Sequence, residues 1–126
     1  MSITSARVVI LGEGLVLPIS GYASTVTLTT NDYTAVINAT AAPVTVNLPP
    51  VVSTPGRIYI VKKGDASVNA VTVLPFVGNS IDGAGSFILA TVNHVVGIQS
   101  DGNKVWHVIF CCMEDTLPPI VTAPPP

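Results

Sequence analysis

Few residues in this chain have the types and spacing that chemistry requires. Ser100, Asp101 and His107 come nearest. A serine nucleophile needs a histidine to take its proton and a carboxylate to orient that histidine. Ser100-Asp101-Gly102-Asn103 reads as a hairpin turn, and His107 lies on the strand returning from it, so the three side chains could approach. No nucleophile elbow or oxyanion loop accompanies them. A turn aspartate ordinarily accepts hydrogen bonds from its own backbone, so no catalytic residue is assigned and the chain reads as a non-enzyme.

Metal and nucleotide chemistry fare no better. His94 and His107 could meet across adjacent strands, but a metal needs about four ligands. Cys111 and Cys112 are neighbours, and neighbours on a strand point to opposite faces, so they are expected to stay unbonded. Gly12-Glu13-Gly14 lacks the third glycine and following helix of a nucleotide loop. Asn38-Ala39-Thr40 matches a glycosylation acceptor, yet no export signal is apparent and it reads as turn chemistry. No metal ligand and no cofactor is assigned.

The composition explains this poverty. Of 126 residues, 10% are charged, against roughly 25% in an ordinary soluble domain. Five Lys+Arg and a net charge of -2 exclude a nucleic-acid binder, which must neutralise phosphates. The longest charge-free run, residues 33–56, holds Pro43, Pro49, Pro50 and Pro55, which excludes a spanning helix, so no membrane partner is expected. A 13.0 kDa globule leaves much of its surface wet. With so few charges to wet it, much of this surface is expected to lie against other chains.

The elements follow from period-two alternation. Val, Ile and Thr number 44, a β composition. Val44, Val46 and Leu48 alternate with Thr45 and Asn47, which predicts a half-buried antiparallel strand. Similar runs lie at 25–29, 33–38, 57–63, 69–74, 86–91, 94–99 and 105–112. The expected fold is all-β: an antiparallel sandwich or barrel-like domain of about eight or nine short strands, with essentially no α-helix. Its expected core is Ile37, Val44, Val46, Leu48, Ile58, Ile60, Val71, Val73, Ile98, Trp106 and Val108.

Three segments result. Residues 1–24 read as an N-terminal arm, with a candidate strand at 6–11 and then Gly12, Gly14, Pro18 and Gly21 opposing regular structure. Extended, that arm would span roughly 80 Å. Residues 25–115 are the β-domain. Residues 116–126 are a tail in which five of eleven residues are proline, favouring a polyproline-like strap.

One resemblance adds to this. Asp32-Tyr33, Val44-Thr45-Val46-Asn47-Leu48-Pro49, Gly56-Arg57-Ile58-Tyr59-Ile60-Val61-Lys62-Lys63 and Asn69-Ala70-Val71-Thr72-Val73 come in order. Ile81-Asp82-Gly83, Ser100-Asp101-Gly102 and Trp106-His107-Val108-Ile109 follow. This succession resembles a β-rich module of tailed-phage tail fibres and other virion appendages. The resemblance implies a non-enzymatic virion part that forms a homotrimer. A short version carrying its own arm and tail suits a capsid decoration or cement protein, made in the host cytoplasm and binding the major capsid protein or another virion protein. The alternative is a tail- or head-fibre appendage that binds a cell-surface glycan. For such an appendage Tyr33, Tyr59, Phe76, Phe87, Trp106 and Phe110 are the aromatics to test, although most sit at core-facing positions.

Expected contacts with sister subunits or the shell fall on the cationic and proline-rich segments. They are Arg7 in the arm, Arg57, Lys62 and Lys63 beside Asp65, and Pro118, Pro119 and Pro124 in the tail. The Arg57–Asp65 cluster is also what an ordinary solvated strand end looks like, and exposed pairs contribute little.

Overall fold

A computed structural model of the chain describes residues 14–112. The expected arm contact Arg7, the candidate strand at 6–11 and the tail prolines Pro118, Pro119 and Pro124 lie outside the described residues. Among the described residues are ten strands: β1 (Ile19–Tyr22), β2 (Val26–Thr27), β3 (Thr34–Ile37), β4 (Val44–Asn47), β5 (Ile58–Lys63), β6 (Val71–Leu74), β7 (Ser80–Ile81), β8 (Phe87–Leu89), β9 (Val95–Ser100) and β10 (Val105–Cys111). The only helical element among them is a single 3-10 turn at Val51–Ser53. The all-β expectation is therefore correct.

The antiparallel expectation is only partly met. The strands form two mixed sheets, one in the order β1-β3-β5-β9-β10-β7 and one in the order β2-β4-β6-β8. In the first six strands the chain alternates between sheets. Each return lays a strand parallel to its predecessor, β1 on β3 on β5 and β2 on β4 on β6. The result is three stacked coils. Antiparallel strands then close the stack, β8 on β6 and β9 on β5, with β10 folding back on β9 and β7 joining it in parallel. Alternating hydropathy specifies that one face is buried. It carries no information on strand direction, and each coil here buries one face of each strand in either sense.

Register stacks like on like. Val44 pairs with Val71 and Val46 with Val73, while Thr45 faces Thr72 on the outside. Ala35 pairs with Val61 and Ile37 with Lys63 on the inner side of the larger sheet. Between the sheets lie Leu28, Leu48, Val96, Ile98, Leu89 and Trp106, all buried. Trp106 packs on Tyr59 with ring centroids 5.5 Å apart. Burying such side chains stabilises by roughly 1.5–3 kcal/mol each.

Two expectations about faces are corrected. On β5 the inner residues are Tyr59, Val61 and Lys63, whereas Ile58 and Ile60 are half-buried on the outer side. Both faces of this strand are aliphatic, so the alternation gave no direction. The large Tyr59 takes the core because its hydroxyl can donate to the Thr29 carbonyl at 2.9 Å. Val108, also expected in the core, is only half-buried and packs at its margin. Residues 19–22, where Pro18 and Gly21 are expected to oppose regular structure, form β1. It is an edge strand, where a proline at the entrance and a glycine cost least.

Candidate interaction surface

The two outer faces differ in chemistry. Across the larger sheet, register sets Ile19, Thr34, Ile60, Gly97 and Phe110 in one row. Val36, Lys62 and Val95 form a second row, and Ile58, Gln99 and His107 a third. Gly97 is buried because the Phe110 ring lies over it, and a Cβ there would overlap that ring. Ile19 is 71% exposed and Phe110 45%. This face is mainly aliphatic; Lys62 is the one fixed charge within its rows, and Asp82 and Asp101 meet His107 at its β10 margin.

The smaller sheet shows rows of Thr27, Asn47 and Leu74, and of Thr45, Thr72 and Ile88. It offers hydroxyls and an amide without charge, with Leu74 and Ile88 exposed at the ends of the rows. The contrast follows from the sequence: both faces alternate with the same valine core, but the outer positions are richer in Ile and Val on the larger sheet and in Thr and Asn on the smaller.

Charge is scarcer outside than the sequence implies. Asp32 and Lys63 are buried. Asp32 accepts from the Thr29 amide at 2.9 Å and from the Tyr22 hydroxyl. That bond, together with burial, raises the Tyr22 pKa above its ordinary value. Lys63 was expected among the contact residues; instead its ammonium lies 2.8 Å from Asp65 Oδ2 and 3.2 Å from Ser67 Oγ inside the domain. Asp65 Oδ1 accepts the Ala39 amide at 2.6 Å, and Oδ2 accepts the Ser67 amide at 3.0 Å. Asn69 Nδ2 donates to the Ala39 carbonyl at 2.8 Å. The Lys63-to-Asn69 corner therefore ties the second coil to the third. Burial alone would raise the Asp65 pKa; Lys63, Ser67 and the two amides outweigh it and hold the carboxyl well below the usual range.

Of the other expected contacts, Arg57 and Lys62 are half-buried, Lys62 on the outer side of β5 and Arg57 just before it. Arg57 donates to the Thr30 carbonyl at 3.2 Å and lies 5.9 Å from the Tyr59 ring centroid. Beside it a groove of about 600 Å³ is lined by Leu17, Thr30, Tyr33, Pro55, Arg57 and Ile58 among others.

The residues whose types suggested chemistry are not assembled for it. Ser100 is buried and donates to the Val51 carbonyl at 3.0 Å, on the opposite face of the sheet from His107. His107 does meet Asp101, with Nε2 3.0 Å from Oδ2, and its other nitrogen lies 3.9 Å from Asp82. Asp82 was the member that spacing did not reveal, because β7 reaches β10 only through the tertiary fold. Asp101 accepts amides of Asn103, Lys104 and Val105 across its hairpin. Those amides and His107 lower its pKa to about 2. The turn reading of Asp101 is thus correct.

His94 precedes β9, at the end remote from His107's partner Gln99, so the two histidines do not meet. Its Nδ1 accepts the Ala90 amide at 3.2 Å. Among the described residues no three His, Cys, Asp or Glu are grouped as metal ligands. Cys111 and Cys112, expected apart, are joined by a disulfide. β10 ends at Cys111 and Cys112 has a left-handed φ of 71°, so strand alternation no longer separates them.

Trp106 and Tyr59 are buried, whereas Phe76 and Phe110 are exposed. In comparisons with known proteins, no family model matches the chain and no curated protein matches it significantly.

Proposed function

We propose that this chain is a structural virion protein, a homotrimeric decoration or cement protein of a phage capsid. It is made in the host cytoplasm, carried on the particle, and works by covering surface rather than by catalysis or through a cofactor. The observation that carries the reading is the aliphatic outer face of the larger sheet. Among the described residues that face bears Ile19, Val36, Ile58, Ile60, Val95 and Phe110, with Lys62 in its end row and Asp82 and Asp101 only at its β10 margin. Such a face stays in water only at a cost, and sister subunits or a shell protein remove it from water. A stable interface buries about 1,200–2,000 Å² in total. The trimer itself comes from the resemblance, and three copies about an axis give each face a partner.

Arg57 and Lys62 border this face and supply polar contacts at its rim. Arg7, Pro118, Pro119 and Pro124 supply contacts from the arm and tail. Purified particles test the reading: hundreds of copies per particle support it, and a handful or none contradicts it.

The groove beside Arg57 favours the second reading, a fibre appendage binding a host glycan. Tyr33 there offers an aromatic face and Arg57 planar donors, the pair that sugars use. Glycan binding lost in Tyr33→Ala, together with low copy number, would select this reading over the first.

A further inference from the structure

The stack of coils is closed at one end and open at the other. At the closed end β9 covers β5 and β8 covers β6. At the open end lie β1 and β2, the first strands of their sheets, and no described strand pairs with their outer edges. The β1 ladder shows which groups are left over. The Pro18 carbonyl accepts the Thr34 amide at 3.2 Å and the Tyr22 carbonyl accepts the Asn38 amide at 2.8 Å. Alternate residues of a strand address alternate neighbours. Ile19 and Gly21 therefore direct their amides and carbonyls to the open side.

Beyond its four-residue length and Pro18 at its entrance, this edge carries none of the usual protections among the described residues. Natural edges are guarded by lysine, inward charges, bulges or a covering loop. No charged residue occurs between Gly14 and Asn31. Ile19, Gly21, Ala23, Ser24 and Thr25 line it, and Ile19, Gly21 and Ala23 to Thr25 are all exposed.

The chain holds one segment suited to cover it. Ala6-Arg7-Val8-Val9-Ile10-Leu11 is a six-residue run rich in β-branched residues, free of Gly and Pro, and bounded by Gly12. For this run to pair with β1 of its own chain, the backbone must reverse before Ile19. Residues 14–18 are exposed and contain no turn, so a reversal would have to fall at Gly12-Glu13, which sets 6–11 against 14–19 and meets β1 at Ile19 alone. Seven residues lie between Leu11 and Ile19, a span of roughly 26 Å when extended, enough to reach a neighbour.

We propose that the open edge of β1 is a docking edge for residues 6–11 of a second copy of this chain, which add to the larger sheet as an extra strand. Main-chain hydrogen bonds to Ile19 and Gly21 supply the pairing, as in other strand-addition complexes. Each copy gives one segment and receives one, so a closed ring leaves no β1 edge unpaired.

Amide hydrogen exchange by NMR on the full chain tests this. Ile19 and Gly21 are the reporters, and Ser20 and Tyr22, which face β3, are internal controls. Val9→Pro removes a donor from the middle of the docking segment and leaves both sheets untouched. Ile19 and Gly21 are expected to exchange at least tenfold faster in Val9→Pro than in the wild type, with Ser20 and Tyr22 unchanged. Adding unlabelled wild type to ¹⁵N-labelled Val9→Pro is expected to restore protection at Ile19 and Gly21. Unchanged exchange in Val9→Pro overturns the proposal. So does failure to restore protection in the mixture, or protection that survives dilution to a single chain of 13.0 kDa. Particle binding is not read by this experiment, so its failure leaves the virion proposal standing.

Discussion

Replacing Asp65 with alanine should destabilise the domain severely, because this carboxylate is the partner of a buried ammonium. It holds the Lys63 ammonium at 2.8 Å and the amides of Ala39 and Ser67 at 2.6 and 3.0 Å. Lys63 is 0% exposed, so without Asp65 its charge stays buried with only Ser67 Oγ, at 3.2 Å, beside it. Removing one partner of a buried pair costs about 3–5 kcal/mol. At about 4 °C per kcal/mol for a domain of this length, Tm should fall by roughly 12–20 °C. Urea denaturation at pH 7 followed by circular dichroism would measure the loss. The double variant Lys63→Met/Asp65→Ala should recover about 2 kcal/mol of it, since no buried charge is then stranded.

The same pair sets an acid limit. A carboxyl whose pKa is lowered by folding stabilises the fold above its unfolded value, and that contribution is lost as pH falls through the folded value. For Asp65 the loss should begin below about pH 4, near the unperturbed 3.8, and extend to strongly acidic pH. Asp65→Asn should flatten this slope. An Asp65→Ala variant within about 1 kcal/mol of wild type at pH 7, with the acid slope retained, would show this view of the pair to be wrong.

Further outcomes follow from the same geometry. Gly97→Ala drives a Cβ into the half-exposed Phe110 ring, which must swing aside, so it should cost no more than about 1 kcal/mol by chemical denaturation; in a Phe110→Ala background the cost should vanish. Tyr59→Phe leaves the Thr29 carbonyl without its 2.9 Å donor and should cost about 1 kcal/mol, read as a lower urea midpoint at unchanged slope. Ile60→Lys adds a second ammonium to the aliphatic face and should weaken self-association at least tenfold by sedimentation, about 1.4 kcal/mol, while thermal stability of the subunit changes little. Deleting residues 116–126 should weaken capsid binding while the trimer survives, and a truncated chain that coats capsids at full occupancy would contradict that role.

Much of the fold was legible because inner and outer residues differ in kind. Val44-Thr45-Val46-Asn47 and Val71-Thr72-Val73 declare a valine side and a threonine side, and both strands lie as that pattern requires. Ser100-Asp101-Gly102 announces its hairpin through turn chemistry, and Gly102 adopts the left-handed φ of 76° that the turn uses. Ile58-Tyr59-Ile60-Val61 has no polar side, so which face turns inward was settled by tertiary contacts alone. Strand direction was hidden for another reason. Parallel coils and antiparallel hairpins bury the same alternating residues, and only the course of the chain between sheets separates them.

The candidate surface was legible as a quantity and not as a place. Twelve charged residues in 126 leave apolar surface exposed on the single chain, but composition cannot say on which face. Nor could it show that Lys63 and Asp65 spend their charges internally. That follows from Ile37 stacking on Lys63 in register, which carries the lysine to the inner side of the sheet. Asp82 joined His107 by the same kind of long-range pairing, through Trp106 against Ile81.

The native mass in dilute solution decides whether other chains cover the aliphatic face. Sedimentation equilibrium of the full chain at low micromolar concentration should give three times 13.0 kDa, with Ile60→Lys shifting the distribution toward the single chain. A well-behaved 13.0 kDa species at every concentration, indifferent to that substitution and without affinity for capsids, would contradict it.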